Sequence, residues 1–187
     1  MKIYNLIKRI YHKCRLFVKL PFHIFRKNQV DKTAIIERNV YVRHCKIGRN
    51  SYIGMNGFYN NVIIGNYSSI AAFVVIGAME HSHWALSTST ILSDEGKDDG
   101  KTYVGNDVWI GTNCVIRQGV RIGNGAVIGA NSFVNKDIPP YAIAFGTPVK
   151  IYKYRFDDEM ISKIEQSRYW ELPPEEAIQV LNNIKNK

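Results

Sequence analysis

With 187 residues, 45% of them hydrophobic, the chain has enough apolar material for one domain with its own core, and no run of ~18 uncharged apolar residues marks a membrane span. Cys14, Cys45 and Cys114 are odd in number and lack C-x-x-C spacing, which argues against a disulfide framework or a structural zinc site and suits a reducing cytoplasm. The net charge of +9 sits at one end: residues 1–30 carry eight Lys and Arg and no acid, so the remainder is nearly neutral.

Residues 2–20 place Ile3, Leu6, Ile7, Ile10, Tyr11, Cys14, Phe17 and Val18 at the spacing of a helix with one apolar stripe. Lys8, Arg9, His12, Lys13, Arg15 and Lys19 mostly take the other side, and Pro21 closes the run. The charges interrupt any signal-peptide core, so secretion is not expected. Residues 1–30 therefore read as a basic amphipathic helical segment. It either covers the end of the following domain or lies on a membrane with its Lys and Arg toward anionic headgroups. Binding to nucleic acid is disfavoured, because no basic surface beyond this segment continues a footprint.

A six-residue beat begins faintly at Ile36 and Val42 and becomes clear at Ile47-Gly48 and Ile53-Gly54, with odd positions facing inward. It resumes on even positions at Ile64-Gly65, Ile70 and Ile76-Gly77. The eleven-residue step from Ile53 to Ile64 predicts about five extra residues within 55–62, including Phe58, Tyr59 and Asn60, bulging as a small loop. From Ile76 the register is lost, and residues 78–102 form one long excursion that contains His81, His83 and Trp84. The beat is strongest from Val104 to Val134, where Val104, Ile110, Ile116, Ile122, Ile128 and Val134 open successive units. Small or apolar residues follow four places on at Val108, Cys114, Val120, Ala126 and Ser132. All are even, so on extended chain they share one face. Between them stand corner formers such as Asn106-Asp107, Gln118-Gly119 and Asn124-Gly125. A strand and a corner every six residues make a flat-sided coil, and stacked coils make a β-helix. The solenoid spans 34–150 with the inserted loop 78–102. Residues 151–187 form a helical cap, with a first helix from Asp157 or Asp158 buried through Met160, Ile161 and Ile164. After Pro173-Pro174 a second runs through Ile178, Leu181 and Ile184.

Three stretches resemble the hexapeptide-repeat acyltransferases: Val104-Gly105-Asn106-Asp107-Val108-Trp109-Ile110-Gly111, residues 126–141 (AVIGANSFVNKDIPPY) and Gly146-Thr147-Pro148-Val149-Lys150. The placing of the excursion resembles the xenobiotic-acetyltransferase subclass, which includes many sugar O-acetyltransferases. So does the tail Arg155-Phe156-Asp157-Asp158-Glu159 followed by Tyr169-Trp170. The likeness covers roughly residues 34–175. It implies a left-handed parallel β-helix, a homotrimer, and acetyl-CoA in a cleft between neighbouring subunits. The hand rests on the resemblance alone, since parallel crossovers are ordinarily right-handed.

In that subclass the catalytic histidine stands five residues before a Leu-Ser-Thr or similar. Leu86-Ser87-Thr88 puts it at His81, not His83. A neutral imidazole suits the role, because a hydroxyl attacks a thioester only as its proton is removed. The resemblance implies that the Thr112 backbone N–H, just after Trp109-Ile110-Gly111, meets the acetyl carbonyl. It also implies that Trp109, Ala130, Asn135 and Lys136 follow the cofactor's arm, with Lys150 or Lys153 near its phosphates. Two departures stand out. Asn135 replaces a frequent Thr, and Ser89-Thr90 replace the Pro-Phe of antibiotic-acetylating members, which turns the reading toward a carbohydrate. Glu80 either orients His81 or is solvated, and Tyr59, Asn60 and Trp84 are candidates for the acceptor pocket. His81-Ser82-His83 has no further histidine in the clear repeats to complete a metal set, so no metal is expected. The expectation is a cytoplasmic acetyl-CoA-dependent O-acetyltransferase, working at the membrane's inner face if the N-terminal segment binds lipid. Its acceptor is a sugar hydroxyl of a surface polysaccharide or its precursor. The alternatives are an antibiotic or amino-sugar N-acetyltransferase, and a non-catalytic trimeric scaffold or binding module.

Overall fold

The computed structural model describes residues 27–89, 91–92, 96–97 and 100–185. The amphipathic segment 2–20 lies outside them. From Gln29 the chain winds as a three-sided coil whose strands stack in parallel. The first face holds Gln29–Val30, Lys46–Ile47, Val62–Ile64, Thr102–Val104 and Arg121–Ile122. The second holds Ile35–Ile36, Tyr52–Ile53, Ser69–Ile70, Trp109–Ile110, Val127–Ile128 and Ala142–Phe145, with Lys150–Tyr154 added antiparallel at its edge. The third holds Tyr41–Arg43, Phe58–Asn60, Val75–Ala78, Val115–Arg117 and Phe133–Val134.

The six-residue beat becomes a packed column because each inward residue lands on its counterpart one coil away. Ile53 pairs with Ile70, Ile70 with Ile110 and Ile110 with Ile128, all of them buried. Corners turn where Asn and Asp accept a left-handed backbone, as at Asn50, Asn56, Asp107, Asn113 and Asn131.

The small loop expected within 55–62 does not exist. Phe58–Asn60 is a regular strand of the third face, in register with Tyr41–Arg43 before it and Val75–Ile76 after it. The early coils are shorter instead: Arg49 and Asn66 occupy equivalent places 17 residues apart, whereas Asn106 and Asn124 are 18 apart. The missing residue is at the corner between the third and first faces, which turns tightly through left-handed His44 and Asn61. Tyr59 takes the inward place that a hexapeptide pattern reserves for an aliphatic residue and is fully buried. Gly57 makes room for it, since a Cβ there would lie 2.5 Å from the Tyr59 ring.

At the corner between the first and second faces, side-chain amides stack as a ladder. Asn66 Oδ1 accepts from the Arg49 N–H, Asn106 Oδ1 from Asn66 N–H and Asn124 Oδ1 from Asn106 N–H, at 2.8–2.9 Å. Two helices lie along this corner. Helix α1 (Asp158–Ser167) is capped by Asp157, whose carboxylate accepts from Met160 N–H at 2.8 Å. A single 3₁₀ turn, Tyr169–Glu171, leads to α2 (Pro174–Lys185), with proline at its first position. Asn124 Nδ2 donates to the Glu165 carboxylate, Asn66 Nδ2 to Trp170 O, and Tyr67 OH to Leu172 O. Tyr141, Ile164, Tyr169, Trp170 and Ala177 form a second small core there, joined by Val180 and Ile184. Ile178 and Leu181, although helically spaced, face outward.

Candidate active site

The excursion leaves the solenoid at the corner joining the third and first faces. Its root is a two-stranded antiparallel stem in which Glu80–His81 pairs with Gly96–Lys97. His81 is exposed, and its Nδ1 lies 2.6 Å from the Thr88 carbonyl oxygen. A carbonyl only accepts, so Nδ1 carries the proton and Nε2 is left with its lone pair outward. The Leu86-Ser87-Thr88 stretch that singled out His81 in the sequence thus supplies the atom that sets its tautomer.

Glu80 neither touches His81 nor stands free in water. Arg117, from the next coil, grips it with Nε on Oε1 at 2.9 Å and Nη2 on Oε2 at 3.0 Å. Nothing in the sequence reading marked Arg117, because the partners are 37 residues apart. His83 packs its ring edge-on against Trp84 at 5.0 Å, and both are exposed. Ser82 is buried and its Oγ accepts from Ala85 N–H. Tyr59 is inside the solenoid, and Asn60 is buried with its Nδ2 donating to Gly77 O at 3.2 Å. Of the three residues considered for an acceptor pocket, only Trp84 faces outward.

The residues read as a cofactor wall lie on another side of the prism. Trp109 projects from the second face, 57% exposed. Thr112 and Ala130 stack at the corner between the second and third faces, both exposed. This corner lacks the amide ladder: Ala130 stands where the first corner has Asn124 and cannot accept a hydrogen bond. Thr112 Oγ1 donates to Ala72 O at 2.8 Å and its carbonyl accepts from Asn131 N–H, but among the described residues nothing takes its N–H. Gly111 allows the close stacking, since a Cβ there would lie 2.6 Å from Ala130 N. Asn135 and Lys136 follow, exposed, after the third-face strand Phe133–Val134. Lys150 and Lys153 belong to the exposed edge strand of the second face. One chain therefore gathers Trp109, Thr112, Ala130, Lys150 and Lys153 on the second face and its far corner, while Asn135 and Lys136 share with His81 the corner between the third and first faces.

Burial pushes the Cys45 and Cys114 thiols up, which makes them poor nucleophiles. Among the described residues no group of three or more His, Cys, Asp and Glu could hold a metal ion.

The three-sided parallel coil with its six-residue beat is a parallel β-helix, and the hexapeptide family to which its repeats belong makes it left-handed. The "bacterial transferase hexapeptide (six repeats)" family matches residues 44–78 and 101–136, the two blocks that flank the excursion. A chloramphenicol acetyltransferase of Morganella morganii is 35% identical over 183 residues, covering 79% of this chain and 86% of that one. A galactoside O-acetyltransferase of Escherichia coli K12 is 35% identical over 139 residues, covering 66% and 62%. A hexapeptide-repeat acetyltransferase of Vibrio cholerae, solved with acetyl-CoA, has the same fold at a TM-score of 0.62, with 24% identity and 82% and 90% of the two chains covered. This chain belongs to the hexapeptide-repeat acetyltransferases.

Proposed function

We propose that the protein transfers the acetyl group of acetyl-CoA to a hydroxyl of a carbohydrate, a surface polysaccharide or its precursor, in a trimer whose sites lie between subunits. The observation that carries this reading is His81: its Nδ1–H is committed to Thr88 O, which leaves the lone pair on Nε2 to accept a proton. Nε2 takes the acceptor's hydroxyl proton as the oxygen attacks the thioester carbonyl carbon. The Thr112 N–H, which has no acceptor of its own among the described residues, donates to the oxyanion that forms. When the tetrahedral intermediate collapses, the C–S bond breaks, the acetyl ester forms, and the CoA sulfur leaves with the proton from His81. No acetyl-enzyme is needed, and both substrates are bound together. Trp109, Ala130, Asn135, Lys136 and Lys150 line the cofactor's path, the two lysines serving its phosphates.

Two observations support a sugar acceptor: Ser89-Thr90 in place of Pro-Phe, and the galactoside O-acetyltransferase relative. A second reading, acetylation of a chloramphenicol-type hydroxyl, is favoured by the greater coverage of the Morganella relative. Labelled acetyl-CoA offered with galactosides, other glycan fragments, amino sugars and chloramphenicol separates them. Transfer to chloramphenicol alone would overturn the carbohydrate reading. No transfer to any acceptor, together with no thermal shift on adding CoA, would leave a non-catalytic trimeric scaffold.

A further inference from the structure

The strand that carries His81 cannot hold itself in place. Its stem is two residues on each side, far below what stands alone in water. It also starts where the solenoid's ladder slips: Val75 and Ile76 pair with Val115 and Ile116, but Arg117 pairs with Ala78, so Gly77 is passed over. Gly77 sits at φ 71, and a Cβ there would lie 2.2 Å from Asn60 O, so only glycine fits the slip. Above this point the Arg117 side chain reaches up from the solenoid to the stem. It takes both oxygens of Glu80 in the parallel two-bond geometry that fixes direction as well as distance. Glu80 and His81 are neighbours in a strand, so their side chains leave on opposite sides. Fixing Glu80 down onto the solenoid fixes His81 pointing away from it.

We propose that Arg117 is a positioning residue for acetyl transfer: its two-point grip on Glu80 orients the strand that carries His81 and so aims Nε2 at the acceptor. This rests on the reading of His81 as the base. The pair is about one-third exposed on each side, so removing it should leave the solenoid folded.

The test uses full-length protein with ¹⁵N-labelled histidine, the His81 signals being assigned by their loss in His81→Asn. Wild type should show one imidazole tautomer, protonated at Nδ1. Arg117→Met and Glu80→Gln should each show His81 averaging between tautomers, with the melting temperature nearly unchanged. Turnover is followed on chloramphenicol or methyl galactoside, whichever the wild type acetylates. There kcat should fall about 10- to 100-fold, as for a reacting group displaced by around an ångström, while KM for acetyl-CoA stays within about twofold. Glu80→Gln combined with Arg117→Met should be no worse than either change alone, and Arg117→Lys, which keeps charge but not the fork, should fall between. If both single variants keep the wild-type His81 spectrum and turn over within about twofold of wild type, Arg117 is no positioning residue. If His81→Asn is itself fully active, the fault lies in the assignment of the base instead.

Discussion

His81 is held through Nδ1, and replacing the ring separates chemistry from binding. His81→Ala should lower kcat by about 10²–10⁴ and leave acetyl-CoA affinity nearly unchanged. His83→Ala should cost much less, because His83 meets Trp84 and not the stem. Steady-state kinetics with both variants checks the pair, and a larger loss at His83 would move the base by two residues. The Thr112 corner offers a second test. Ala130→Asn would restore the amide ladder of the first corner, where Asn124 Oδ1 takes Asn106 N–H at 2.9 Å. The new amide should claim the Thr112 N–H and withdraw it from the oxyanion, lowering kcat about 10²-fold or more with no loss of stability. An unchanged kcat would remove Thr112 from the mechanism. The contact between His81 and Thr88 lay within reach of the sequence, because the Leu86-Ser87-Thr88 stretch that points to His81 by resemblance is local, with Thr88 seven residues from it. The Arg117 grip was not legible, since it depends on which coil stacks on which, and a one-residue slip at Gly77 decides that.

The same contrast holds for elements. The units from Val104 to Val134 were readable because each keeps six residues, whereas the third-face strand Phe58–Asn60 was mistaken for a loop. There a shorter corner and an aromatic inward residue break the beat while the coil continues. Tyr59 is buried with no partner for its hydroxyl among the described residues, and burial pushes that hydroxyl well up from its ordinary value. Where the helices dock, Tyr141 and Tyr169 are pushed up as well, first by burial and then by Glu165 and Asp107 respectively. Such hydroxyls stay neutral in the folded chain while the unfolded chain ionises near pH 10. Their contribution is therefore fully present below about pH 10 and is lost as pH rises beyond it, at about 1.4 kcal/mol per group per pH unit. Denaturant midpoints measured from pH 8 to 11 should fall accordingly, and the buried Cys45 and Cys114 thiols should start the fall near pH 9. Tyr59→Phe should flatten the curve and cost nothing at neutral pH, since it removes an unpartnered buried hydroxyl. The N-terminal segment divides the readings by charge. If it lies on lipid, changing Lys8, Arg9, Lys13 and Arg15 to Gln should abolish binding to anionic vesicles, at about 1 kcal/mol per charge, and leave activity on a soluble acceptor intact. If it covers the first coil instead, the wild-type protein should ignore such vesicles at low salt, and deleting residues 1–20 should cause aggregation.

At the scale of the whole molecule, one chain leaves its site in two parts. His81 hangs from the corner between the third and first faces, while Trp109, Thr112 and Ala130 occupy the second face and its far corner. The excursion also shows Met79, Trp84, Leu86, Ile91 and Leu92 to solvent, and Phe58 and Val115 stand exposed on the third face. Apolar surface of that extent is what a subunit contact covers. The proposed cyclic trimer would bring the corner of one subunit against the wall of the next and repeat the contact three times around one axis. Mixing separates this from a site within one chain. Subunits with His81→Ala lack the base, and subunits with Ala130→Trp have the wall blocked, so each should be inactive as a homotrimer. Co-expressed in equal amounts and purified as mixed trimers, they should recover activity, because a wall from the first kind can meet a base from the second. Every mixed cyclic trimer, whether two-to-one or one-to-two, combines an intact base with an open wall at one of its three sites, so about a third of wild-type turnover should return. If each chain carried its own complete site, no assortment could restore one and the mixture would stay as inactive as its parents. A wild-type protein that sediments as a fully active monomer would exclude the shared site by a separate route.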